Sequence, residues 1–400
     1  MRALFDKGLI EQALFSGAGF CLVLTIVHVF SVQFLGSIAV VIAYSLLLET
    51  ILTATVHQDA MVGQSGGEVL SAQFLRVRYL ILSLCGGCFI WLLDYAAFGN
   101  LVTYPALEVL LFITLFHYPN FERRLQYLIH GSGAVRTAMR VTVIVVWGRL
   151  FCLAAIGLVY RSIEISEALL ILAAFSFVLM VPLLWDKEFI GDRSRIDLIR
   201  LVPSSKSKMI VISSAVEWLW GVLPLFVLNS LYGSTSAGLY TSARSLGNAL
   251  NVINEMFASV QIKEISISAR RSIQDFLCAL KPIALLWSAS VALLIFIILW
   301  MGEPLGLLFF DKAIEDASLW LLCGVLVQVG YFVHMIVRTY LRVVKDEITN
   351  LYLLAVMIAV SSFTVQSAQS PILVVIIVGS ISVIGPLALG VHRLCLKNDR

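Results

Sequence analysis

Leu231–Val260, LYGSTSAGLYTSARSLGNALNVINEMFASV, is the stretch whose reading decides the fold. It opens with an uncharged run, Tyr232–Ser236, lying between two apolar segments and predicted as a short loop. It then continues as a segment long enough to cross a bilayer, for which about 20 helical residues suffice. On a helix turning about 100° per residue, Arg244, Asn248, Asn251 and Glu255 share an arc of about 60°, with Tyr240 and Ser259 at its margins. The other positions are mostly Leu, Ala, Val, Ile, Met and Phe. Lipid cannot solvate such a polar stripe, so the stripe must face protein or water. The expectation is a bundle of membrane helices with a wet, partly charged interior.

Composition agrees. The 400 residues are 60% hydrophobic and 13% charged, with a mean hydropathy of +0.95. Soluble domains are about 25% charged, so a soluble class is excluded. No cleavable secretory signal is evident after Met1–Lys7. The seven cysteines fall almost entirely inside apolar runs, which argues against a disulfide framework.

Apolar runs predict twelve spans, near 10–30, 36–56, 79–98, 101–118, 141–160, 167–185, 209–231, 237–260, 282–301, 317–340, 349–367 and 372–392. With both termini cytoplasmic, all but four of the 28 Lys and Arg residues fall in inner segments. Arg161 and Lys312 sit in outer loops, and Arg149 and Arg244 at membrane depth. Cationic loops stay inside, and an error of one span would scramble this division.

The most charged inner segment lies at the midpoint. It predicts an amino-terminal six-helix bundle over 1–187, a cytoplasmic linker over 188–208 and a carboxy-terminal six-helix bundle over 209–400. A faint repeat supports two like-oriented halves. FLGSIAVVIAYSLLL from Phe34 resembles LYGSTSAGLYTSARSL from Leu231 at an offset of 197 residues, matching Gly36 to Gly233, Ser37 to Ser234 and Ser45 to Ser242. The fold class is therefore all-α and polytopic, with about twelve transmembrane helices in two parallel-repeat bundles.

Enzyme signatures are missing: there is no GxxxxGK[ST], HExxH or GxSxG. An SxxK at Ser205–Lys208 lies in the charged linker with no site around it, and Cys85-Gly-Gly-Cys88 has no second pair to make a zinc site. No enzyme activity, metal or cofactor is expected. The informative groups are ionisable residues at membrane depth. Arg149 lies mid-span, where a charge costs at least about 2.5–3.5 kcal/mol. Arg244, Glu49, Glu217 and Glu255 are similarly placed, and Glu108, His28 and Asp94 also interrupt apolar sequence. Two readings are open. In one, the arginines pair permanently with carboxylates such as Glu217 or Glu255. In the other, they face a water-filled cavity and meet an anionic substrate, with Glu49, Glu217 and Glu255 tuning charge or coupling an ion. A guanidinium fork suits phosphate oxygens, while Asn248, Asn251 and Tyr240 suit sugar hydroxyls.

The pattern G-S-x-x-A-G-L-Y followed by A-R-S-L, Gly233–Leu246, resembles the polysaccharide-export and oligosaccharide-lipid flippases (Wzx-type) of the multidrug/oligosaccharidyl-lipid/polysaccharide exporter superfamily. FSVQFLGSIAVVIAYSLLL resembles that family's first hairpin and RTYLRVVKD, from Arg338, its tenth span. The resemblance implies a MATE-like exporter fold that alternates between inward-open and outward-open states. It also implies an undecaprenyl-pyrophosphate-linked oligosaccharide as substrate, moved across the bacterial inner membrane for O-antigen, capsule or exopolysaccharide. The implied partners are that lipid-linked glycan, the bilayer, and the polymerase and glycosyltransferases of the same pathway; nucleic acid is not among them. One departure is that Ser31-Val32-Gln33 precedes the Leu35-Gly36 turn where the family often has a basic residue. The alternatives are a cation-coupled drug or metabolite antiporter of the same superfamily and a membrane-embedded polymerase or glycosyltransferase.

Overall fold

The computed structural model describes residues 2–52, 72–97, 106–130, 135–160, 163–184, 207–250, 268, 271–312, 314–343 and 347–398. They are almost wholly helical. In order come α1 (Arg2–Val29), α2 (Val32–Leu52), α3 (Ala72–Ala97), α4 (Ala106–Leu115), α5 (Tyr118–His130) and α6 (Val135–Arg140). A π-helical stretch, Val141–Trp147, leads into α7 (Gly148–Val159) and α8 (Ile165–Leu184). Then follow α9 (Ser207–Gly247), a 3-10 turn at Asn248–Leu250, α10 (Ile273–Trp300), α11 (Gly302–Phe310), α12 (Ala317–Val343), α13 (Glu347–Val365) and α14 (Pro371–Asn398). Ten described stretches are long and apolar enough to cross a bilayer. One of them, Val211–Leu250, has 40 residues and accommodates two of the expected spans; α4 is the described part of the fourth. The chain is an all-α polytopic membrane protein, the architecture that lets every backbone group bond within its own segment where no water reaches.

Three expectations are corrected. Tyr232–Ser236 is not a five-residue loop: two helices, 207–232 and 234–247, together labelled α9, meet at a kink confined to Gly233 at φ 82, ψ 174. Only glycine takes that conformation without strain, so one residue does the work of a turn. The polar stripe does not continue on one regular helix, because α9 ends at Gly247 and Asn248 begins a 3-10 turn with about three residues per turn. Asn251 and Glu255 lie outside the described residues, as does the linker expected over 188–208 save 207 and 208. Two described segments between expected spans are helical: α5, largely between 118 and 141, and α11, between 301 and 317.

The chain divides into two compact units. Unit 1 comprises 1–25 and 37–218; unit 2 comprises 26–36 and 219–400. The core of unit 1 includes Leu35's neighbour on α2, Ile38, together with Phe112, Leu125, Val145, Leu153 and Leu172, all sealed from solvent. In unit 2, the glycines around the sequence repeat bring two helices together. A Cβ added at Gly36 would fall on the carbonyl oxygen of Ser234, and one at Gly238 on the carbonyl oxygen of Val32. Backbone thus touches backbone, which is how small residues hold membrane helices together. His28 fixes the same segment by placing Nδ1 3.0 Å from Asp311 Oδ1 and Nε2 2.7 Å from the Leu308 carbonyl.

Candidate functional site

Arg149 lies in the first turn of α7, directly after the π-helical stretch. A π-helix closes its ladder one residue late and so shifts the register of all that follows. The side chain is buried, 8% exposed, in unit 1. Its Nη1 donates to the Phe116 carbonyl at 2.5 Å and to Ser176 Oγ at 3.2 Å, and its guanidinium carbon stands 4.2 Å from the centre of the Phe116 ring. The Phe116 carbonyl belongs to the last turn of α4, where the chain breaks before α5 and carbonyls lack helical donors. Arg149 therefore caps a helix end, and its charge suits the negative end of the helix dipole.

Arg244 is half-buried in unit 2. It donates through Nη1 to the Gly221 carbonyl at 2.9 Å, three residues before Pro224 on the same α9. Each unit thus holds one guanidinium against a backbone carbonyl. Among the described residues no carboxylate lies within ion-pair distance of either arginine. The five donors of a guanidinium exceed the bonds made here. Tyr240 is sealed, 1% exposed, one turn before Arg244, and its hydroxyl has no hydrogen-bond partner among the described residues, whereas Asn248 is exposed and accepts from Gln328. Glu217 is half-buried on α9.

Glu49 is buried in a charged network that the sequence reading did not assemble. Glu49 Oε2 lies 3.0 Å from His117 Nδ1, Asn120 Nδ2 donates to Oε1, and Arg124 is 3.7 Å away. Nearby, Arg76 makes a two-pronged pair with Glu122, which also accepts from Gln126 at 2.7 Å. Arg123 donates to Glu11 at 3.1 Å and to Gln12 at 2.8 Å with its guanidinium over the Phe15 ring at 3.9 Å, while the Thr142 hydroxyl donates to Glu11 at 2.6 Å. These groups converge on α5, whose polar residues were counted as cytoplasmic loop charges. The available signal was the spacing of Asn120, Arg123 and Arg124 three and four residues apart, which puts them on one helix face.

At one end of unit 2, α11 and the start of α12 enclose a concavity of about 610 Å³ lined by Glu303, Glu315, Asp316 and Ser318. It is acidic and includes neither arginine. Among the described residues no group of three or more His, Cys, Asp or Glu could hold a metal, and six cysteines are free.

No family model and no curated protein matches the chain. Solved structures do. An inward-facing multidrug resistance MATE family transporter of the MOP superfamily superposes with a TM-score of 0.58 at 16% identity, covering 100% of this chain and 96% of that one. The fold is MATE-like. An outward-facing structure of such a transporter gives 0.58 at 16% identity over 99% and 96%. A MATE crystal structure in the straight conformation gives 0.58 at 15% identity over 100% and 96%. The MATE-like chain thus spans nearly the whole length of these proteins, and the likeness at this identity is one of fold.

Proposed function

We propose that this MATE-like chain is a transporter that moves a lipid-linked, pyrophosphate-bearing oligosaccharide across a bacterial inner membrane by alternating access. The observation that carries this reading is the pair of guanidiniums, Arg149 in one unit and Arg244 in the other, each braced by a backbone carbonyl and neither matched by a described carboxylate. A braced fork with spare donors suits the paired oxygens of pyrophosphate, and membrane-embedded arginines are retained where a pathway needs them. In this reading Tyr240, Asn248 and Asn251 meet sugar hydroxyls, and Glu217 and Glu255 tune the charge. The termini are cytoplasmic, and the polymerase and glycosyltransferases of the same pathway are its partners.

The test is export of the repeat unit by the Arg244→Ala variant. Loss of export with normal membrane levels supports the reading; normal polymer levels remove Arg244 from the site. A second reading, a cation-coupled drug antiporter, draws on the MATE neighbours and on the buried acid Glu49. Efflux of a cationic dye from vesicles by the wild-type chain, without glycan export, decides for it.

A further inference from the structure

The acidic concavity of unit 2 continues into the membrane. Leu319 and Leu322 line it, and the same two leucines line a second, apolar cavity of about 270 Å³. That cavity follows α12 past Leu326 to Val329, with Ile295 of α10 and Ile376 of α14 as its other walls. No charged side chain lines it. From Leu319 to Val329 the helix rises about 15 Å. A bilayer's hydrocarbon core is about 30 Å thick, so the apolar cavity is as long as one leaflet is deep. The acidic part lies between the candidate spans that end at Trp300 and begin at Ala317, hence at the membrane surface. Trp300 is exposed, as suits an aromatic side chain at headgroup depth. Glu303, Glu315 and Asp316 are exposed there, and none is in an ion pair among the described residues. No Lys or Arg lines the concavity.

We propose that the two joined cavities hold one bilayer phospholipid with a primary-amine headgroup, its ammonium among Glu303, Glu315 and Asp316 and one acyl chain along α12. The tail is selected by length and polarity: a chain confined to one leaflet fits a one-leaflet groove walled by Leu, Val and Ile. The head is selected by charge. Three carboxylates repel an anionic headgroup, whereas an ammonium is attracted and brings three N–H donors to oxygens that only accept. A soluble amine would leave the apolar half unfilled, and a lipid without the amine would leave the acids unmatched. The mouth is held in place by close packing. A Cβ added at Gly302 would fall on Ser318 Oγ, and one at Gly306 would come within 2.7 Å of Ala317 Cβ, so Glu303 rides on a helix pinned to the start of α12. The lipid site stands whichever solute the chain moves.

The experiment uses the full chain in vesicles of phosphatidylethanolamine and phosphatidylglycerol. A trace of one lipid or the other carries a photoreactive group at the far end of an acyl chain, and labelled peptides are mapped by mass spectrometry after illumination. Labelling around Val329 and Ile376 by the ethanolamine probe is expected to exceed that by the glycerol probe about threefold or more, the ratio that the energy of an exposed ion pair supports. Combining Glu303→Gln, Glu315→Gln and Asp316→Asn, all exposed positions, should erase that preference. Leu322→Trp, which obstructs the join between the cavities, should reduce labelling there by both probes. Equal labelling by the two lipids in the wild type, a preference that survives the triple variant, or unchanged labelling in Leu322→Trp overturns the proposal. If Leu322→Trp does not elute as a single species, the two-lipid comparison and the triple variant decide it.

Discussion

Replacing Arg149 by Met keeps most of the side-chain volume and removes the charge, which separates a transport role from a structural one. The variant loses the bond to the Phe116 carbonyl, worth about 1.5–3 kcal/mol for a charged donor. It also loses the contact with the Phe116 ring, worth about 0.5–2 kcal/mol. The Ser176 hydroxyl loses little, because it keeps its own bond to the Leu172 carbonyl at 2.7 Å. Against these losses, a cation without a described carboxylate partner leaves the membrane interior, relieving about 2.5–3.5 kcal/mol. The terms nearly cancel, so a net destabilisation of about 1 kcal/mol is expected. Thermal unfolding in detergent, followed by tryptophan fluorescence, measures it, and glycan export in cells tests the proposed function. Near-native stability with abolished export is the expected result. A loss above about 3 kcal/mol, the size seen when a buried ion pair is broken, refutes the reasoning and makes Arg149 a structural post.

Three further outcomes follow from the packing and polar contacts. Glu11→Gln leaves Arg123 buried without its counter-charge and is expected to cost about 3–5 kcal/mol in the same unfolding assay, which makes it the comparator for Arg149→Met. Gly36→Ala drives a Cβ into the Ser234 carbonyl, and the monodisperse peak in size-exclusion chromatography should be lost or sharply reduced. Asp311→Asn removes an ion-pair partner that is half exposed, so it should change stability by less than about 1 kcal/mol, with amide exchange at α11 as the more sensitive readout.

The helical class was legible because lipid leaves so few alternatives: apolar runs long enough to cross a bilayer are enough to define a polytopic bundle. The glycine-serine repeat also pointed to something physical, since Gly36 sits against Ser234 and Gly238. Arg149 and Arg244 could be singled out from their cost at membrane depth. Their partners could not, because a backbone carbonyl has no residue-type signature. The α5 network was missed for a related reason. Arg123 and Arg124 fitted the positive-inside pattern as loop charges, and nothing local indicates that Glu11, 112 residues away, would meet Arg123. The π-helical stretch before Arg149 was equally hidden, as VTVIVVW reads as ordinary apolar helix.

The assignment of residues 26–36 to unit 2 bears on how the chain is made. This segment is synthesised among the first forty residues, yet His28 finds Asp311 only 283 positions later, and Gly36 meets Gly238 at a separation of about two hundred. Contacts so distant along the sequence form late and slowly. The end of the first hairpin must therefore wait in the bilayer, its exposed glycine face open to the wrong helix, until the second half has been inserted. A carboxy-terminal half expressed alone would start without the piece that completes it.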